Sequence, residues 1–226
     1  HATMTAHARM DETSSIMAPS VGRGYATGAL FMTGFGAVWA LGAASAVSAS
    51  TMQTAVAIAC VVAMTIALLV LSLALWRAAP QVHVHFPNDD PERQADERRT
   101  GRLFNLVFLA QGAAIALTII ICVSIDRTEY IPPVIAFIVG AHFLPLAALF
   151  KVRLYYATGA LMMLIPLVVM IAVSETRDIG RASVWMAIPM TGSAMVLWLT
   201  AVGVLRMGRA SLETKSTPRP APRLAP

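Results

Sequence analysis

Six uninterrupted apolar stretches alternate with short polar segments along this chain. Their approximate limits are residues 24–46, 52–76, 102–125, 131–150, 154–174 and 182–204. Each is about the 20 residues that a helix needs to cross a bilayer. None contains Asp, Glu, Lys or Arg inside its boundaries, Arg102 standing at the edge of the third. The pattern predicts an all-α polytopic membrane protein with six transmembrane helices. Residues 1–23 read as a polar N-terminal tail and residues 77–101 as the one long loop, with a short helix at 92–99. The segment after Arg206, ending Thr-Pro-Arg-Pro-Ala-Pro-Arg, reads as an extended tail over 207–226. Residues 1–20 lack the short apolar core and small-residue cleavage site of a signal peptide.

Composition sharpens this picture. The 226 residues are 57% hydrophobic and 13% charged, against roughly 45–50% and 25% in soluble domains. The charge of +5 forms no basic stripe with interleaved aromatics, so a nucleic-acid partner is not expected. With the N-terminus placed in the cytoplasm, the inner segments carry fourteen basic residues, among them Arg77, Arg98, Arg99, Arg102, Lys151 and Arg206. The outer loops carry three, Arg127, Arg177 and Arg181. That asymmetry predicts a plasma (inner) membrane protein with both termini cytoplasmic.

An internal echo runs through the spans. Residues 25–32 read Tyr-Ala-Thr-Gly-Ala-Leu-Phe-Met and residues 156–163 read Tyr-Ala-Thr-Gly-Ala-Leu-Met-Met, identical at seven of eight positions. A fainter copy lies at Thr100, Gly101, Leu103 and Phe104. From the repeat glycine to the basic residue closing each hairpin, the separations are 49 (Gly28–Arg77), 50 (Gly101–Lys151) and 47 (Gly159–Arg206). Either three duplicated hairpins or the constant thickness of a bilayer accounts for that spacing. The mitochondrial carriers have a similar three-hairpin plan, but their Pro-x-Asp/Glu-x-x-Lys/Arg motif is missing at every copy. Glycines 28, 34, 36 and 42 give the first span a small-residue face suited to close helix packing.

Candidate chemistry is sparse. Gln111 stands nine residues from Arg102, and His142 nine from Lys151, so both lie about 13–14 Å from the same membrane edge. Spans three and four are joined by a short turn and run antiparallel, which allows the two side chains to face each other. Such a pair is either a polar site (a ligand anchor, a pH-sensitive gate or a proton-handling group) or a helix–helix hydrogen bond. Pro145, one turn beyond His142, removes a backbone hydrogen bond from span four. Pro166 and Pro189 do the same in spans five and six. His83 and His85 alternate in the long loop beside Asp89 and Asp90, a weak metal-binding pattern without a third clustered ligand. Cys60 and Cys122 lie in different spans and read as packing residues. No nucleophile elbow, zinc-protease motif or phosphate loop is present, so no cofactor is expected and an enzyme is disfavoured.

The block Gly140-Ala-His-Phe-Leu-Pro-Leu-Ala147, followed by Tyr155-Tyr156 and Thr158-Gly159, resembles a motif in uncharacterised families of small bacterial multi-pass membrane proteins. The resemblance spans helices four and five and implies a bacterial inner-membrane origin, with no activity attached. Three function classes follow. One is a transporter or channel for a small uncharged or weakly polar solute, using Gln111, His142 and Pro145. The second is a structural or regulatory subunit whose partners are lipid, a membrane protein or a second copy. The third is a membrane-embedded enzyme. The intramembrane polar pair favours the first.

Overall fold

The computed structural model describes residues 16–19, 21–79, 81–84, 91–174, 177–179 and 182–216. Its helices are α1 (Val21–Val47), α2 (Thr51–Ala78), α3 (Pro91–Ser124), α4 (Ile131–Phe150), α5 (Arg153–Ala172) and α6 (Val184–Ser216). Strands β1 (Ile16–Pro19) and β2 (Gln81–Val84) pair antiparallel, with Ile16 opposite Val84. A second small ribbon joins β3 (Asp178–Ile179) to β4 (Ala182–Ser183). All six helices contain a segment long and apolar enough to cross a bilayer. The chain is an integral membrane protein of all-α architecture.

Two helices outrun the apolar stretches that announce them. The short helix expected at 92–99 is the first part of α3, which runs without interruption from Pro91. Proline suits a first helical turn, and the Glu, Arg, Gln and Ala that follow are strong helix formers, so nothing stops the helix before the membrane. The tail expected after Arg206 begins instead as ten more residues of α6. There Gly208 is buried against Leu75 and Tyr25, and Leu212 packs on the core. Within the polar N-terminal segment, residues 16–19 form β1. The proline-rich residues 217–226 lie outside the described residues.

Turn chemistry closes the hairpins. Ser50 caps α2 by accepting the Gln53 N–H at 3.3 Å, while Gln53 Oε1 accepts the Ala49 N–H at 3.0 Å, a near capping box. Pro132 and Pro133 open α4, where their absent N–H groups go unmissed. Lys151 adopts a left-handed conformation (φ 55°), which leaves only Lys151 and Val152 between α4 and α5. At the basic end of the bundle, Arg23 holds α1 to α2. Its Nε donates to the Ala79 carbonyl at 3.0 Å, and its guanidinium lies 4.6 Å from the Trp76 ring centre.

The packing order differs from the chain order. The most extensive interfaces are α1 with α6 and α4 with α5; α6 also touches α5, α4 and α2. Helices α1, α4, α5 and α6 therefore form the core, with Met162, Leu197, Ala201 and Val204 almost wholly buried there. Inside it, the Thr158 and Thr200 hydroxyls lie 2.7 Å apart, so that one donates to the other, whose own proton goes to the carbonyl four residues back in its helix. The glycine face of α1 does pack closely: a Cβ on Gly36 would stand 2.5 Å from the Trp198 ring. Trp198 in turn donates its Nε1–H to the Thr33 carbonyl at 3.4 Å. Gly34 faces open space.

Among the described glycines, the approach of backbone to backbone joins α4 to α5. A Cβ on Gly140 would lie 2.8 Å from the Gly159 carbonyl oxygen, and one on Gly159 2.7 Å from that of Gly140. Backbone meets backbone here, which only a small residue on each side permits. The three repeat glycines thus occupy unlike surroundings. Gly159 sits at this crossing, Gly28 faces the Tyr155 hydroxyl, and Gly101 has nothing within 4 Å.

Helices α2 and α3 flank the core. Each buries one stripe: Thr54, Ala57, Val61, Thr65, Leu68, Ser72 and Leu75 on α2, and Phe104, Val107, Gln111, Ala114, Thr118 and Cys122 on α3. The three-to-four residue spacing is that of a single helix seam. The remaining faces are exposed and apolar, with Leu106 at 61% and Leu109 at 72%. Hydroxyls on these stripes cost little in hydrocarbon, because Thr65, Ser72 and Thr118 donate to the carbonyl four residues back.

Candidate functional site

The α3–α4 seam carries the candidate site. Helix α3 makes its extensive contacts with α4 and with the Thr128–Tyr130 turn that joins them. At the basic end, Phe104 meets Phe150 edge-on with ring centres 6.1 Å apart. One turn deeper, Phe108 lies 5.5 Å from Phe104 and packs edge-on against His142, also at 5.5 Å. His142 continues to Phe143 at 5.9 Å, and Phe143 to Tyr155 at 5.8 Å. A row of rings therefore leads from the membrane edge of α4 to the histidine at its middle.

Gln111 lies one turn beyond Phe108 on the half-buried stripe that faces α4. His142 is half-buried on α4, the helix on which α3 packs. The hydrogen bond that helix packing alone would provide is missing. Gln111 Oε1 and His142 Nδ1 are both buried, and among the described residues neither has a hydrogen-bond partner. Hydrocarbon offers no substitute, and an unpaired buried polar group costs about 1–3 kcal/mol. Nearly all such groups in folded proteins are paired, so two on facing helices require an explanation. Pro145 adds a third polar group nearby. It lacks an N–H, so the carbonyl four residues back, that of Ala141, has no helical donor. The Pro145 ring itself is exposed, whereas Pro166 and Pro189 are fully buried in the core.

Below the row of rings, a cleft of about 420 Å³ opens at the basic end between α3 and α4. It is lined by Thr100, Gly101, Phe104, Asn105 and Phe150. Phe104 and Phe150 belong both to the cleft and to the ring row, so the two are continuous. The cleft is a shallow groove open to the surroundings rather than an enclosed cavity.

Other sequence candidates do not join this site. His83 lies in β2 opposite Met17, while His85, Asp89 and Asp90 fall outside the described residues. Among the described residues, no group of three or more His, Cys, Asp or Glu stands together. Ser193 Oγ is a third buried atom without a partner, on α6 beside Gly192, which packs on Ile165. The aromatic row is the part that sequence reasoning missed. Its signal was present as Phe104, Phe108 and Gln111 at helical spacing, with Phe150 and His142 two turns apart.

Residues 97–206 match a family of unknown function (DUF7010). The match takes in α4 and α5, which carry the Gly140–Ala147 and Tyr155–Gly159 block, together with the membrane part of α3 and much of α6. The α3–α4 seam lies entirely within it. No match was found among curated proteins or among solved structures.

Proposed function

We propose that the protein is a transporter or channel for a small uncharged or weakly polar solute, which it binds in the α3–α4 seam at Gln111 and His142. The observation that carries this reading is the pair of buried, unpartnered atoms, Gln111 Oε1 and His142 Nδ1, on facing helices. A ligand that hydrogen-bonds there recovers what the bundle leaves unmade. The spans hold no charged residue inside their boundaries, which disfavours an ionic cargo. Pro145 supports movement, because a helix missing one backbone bond bends there at low cost. The fourteen-to-three division of basic residues supports a bacterial inner-membrane setting with both termini in the cytoplasm.

The test is uptake of a neutral solute such as glycerol into proteoliposomes containing the full chain. Wild-type vesicles are expected to exceed empty ones. Both Gln111→Leu and His142→Ala are expected to lower the excess rate about tenfold, the equivalent of one hydrogen bond. Variants that change only thermal stability would make the pair a structural contact. One observation favours a second reading, that of a membrane subunit: α3 packs extensively on α4 alone, leaving its outer face for a partner helix or a second copy. In that case crosslinking from Leu109 would capture protein rather than lipid.

A further inference from the structure

The polar atoms of the seam specify the chemistry of what binds them. Gln111 Oε1 is an acceptor and requires a donor. A neutral imidazole has one donor and one acceptor nitrogen, and His142 Nδ1 is idle in either tautomer. A hydroxyl group both donates and accepts, so one hydroxyl satisfies both atoms when Nδ1 carries the ring proton, accepting from Nδ1–H and donating to Gln111 Oε1. An ammonium or a carboxylate does not belong here. Between Leu103 and Ser124 on α3, and along the whole of α4, no Asp, Glu, Lys or Arg supplies a counter-charge.

The rest of the ligand is specified by the walls. Between the groove at Thr100 and Asn105 and His142, the wall of the seam is formed by Phe150, Phe104 and Phe108, packed ring on ring. Aromatic walls favour a ring-bearing apolar body. The seam lies at the side of the bundle, because among the described residues α3 packs mainly on α4 and leaves Leu103, Leu106 and Leu109 exposed. A lipid-soluble molecule therefore reaches the seam without crossing the bundle core. Resting on the reading above, we propose that the seam binds an uncharged, ring-bearing, lipid-soluble alcohol or phenol. Its hydroxyl lies between Gln111 and His142, and its body lies along Phe108, Phe104 and Phe150.

The experiment compares para-nonylphenol with its methyl ether, which keeps the body and an acceptor but has lost the donor. The full chain is placed in lipid nanodiscs, and the concentration giving a half-maximal rise in unfolding temperature is measured. The phenol is expected to act at about a tenth of the ether concentration, the discrimination of one donated hydrogen bond. Gln111→Leu, which keeps the side-chain bulk, is expected to weaken the phenol about tenfold and leave the ether unchanged. His142→Phe preserves the ring row and is expected to weaken the phenol similarly.

Equal potency of phenol and ether overturns the proposal. So does a Gln111→Leu variant that binds the phenol normally, the result expected if water alone fills the seam. Glycerol uptake separates this failure from that of the transport reading. If uptake depends on Gln111 while the phenol pattern is absent, the ligand class falls and transport stands. If the phenol pattern holds without uptake, the seam is a site for a lipid-soluble ligand and solute transport falls.

Discussion

Gly159→Ala is expected to destabilise the folded bundle by about 1–3 kcal/mol, and Gly159→Ile by more. The added Cβ would stand 2.7 Å from the Gly140 carbonyl oxygen and 3.1 Å from Phe143 Cβ. A side chain can swing away from such a contact, but a helical carbonyl cannot. The helices α4 and α5 must part, and every van der Waals contact along their crossing weakens together. In a membrane that loss is not softened, since dispersion and hydrogen bonding, rather than expulsion of water, hold helices together. Gly140→Ala meets the Gly159 carbonyl and the Met163 amide, both at 2.8 Å, and should behave alike. Gly101→Ala is expected to do the opposite. No atom lies within 4 Å of its Cβ, so alanine should gain up to about 1 kcal/mol from helix propensity. Unfolding titrations in mixed micelles measure all three. Equal effects at Gly101 and Gly159 would contradict the packing described.

The second large effect is expected from Leu197→Ala on α6. Leu197 is 1% exposed and lies at the centre of the core cluster. In water, removing a buried leucine costs about 2–5 kcal/mol, partly from lost transfer free energy and partly from the cavity left behind. Here the unfolded reference is a helix in lipid, where the side chain is already in hydrocarbon. The transfer part largely disappears and the cavity part remains, so about 2 kcal/mol is expected. Leu199→Ala, two residues along and 67% exposed, leaves no cavity. It should be close to neutral by the same titration.

These two contrasts mark where the fold was legible in the sequence. Hydropathy located all six spans, because each contains a long apolar run that only a bilayer-crossing helix explains. It placed their ends less well. Gly208 and Leu212 are small or apolar residues in a polar context, and only tertiary packing reveals that α6 continues there. The lateral order of the helices was hidden. Nearly every position in α2 and in the membrane part of α3 is apolar, so the half-buried face of Phe104, Val107, Gln111 and Ala114 does not stand out from the exposed Leu103, Leu106 and Leu109. Sequence also singled out Gly159 as one of three repeated glycines, but nothing in the motif distinguishes its crowded site from the open one at Gly101.

The candidate site was half legible. Counting residues from Arg102 and Lys151 brought Gln111 and His142 to one depth, and the short turn at 126–130 made their helices neighbours. Whether the two side chains satisfy each other depends on side-chain geometry, which a residue count does not carry. The aromatic row that flanks His142 was missed for a related reason: Phe104 and Phe150 come from different helices, and each alone reads as an ordinary membrane phenylalanine.

The candidate site requires α3 to lie against α4 so that Gln111 and His142 share one seam. Paired cysteines at positions 104 and 150, in a background with Cys60 and Cys122 replaced by alanine, test this in native membranes. A short thiol-specific crosslinker is expected to join Phe104→Cys to Phe150→Cys, whose parent rings lie 6.1 Å apart, and to leave Leu109→Cys with Phe150→Cys unjoined. Crosslinking from position 109 but not from position 104 would turn Gln111 away from α4 and contradict the site.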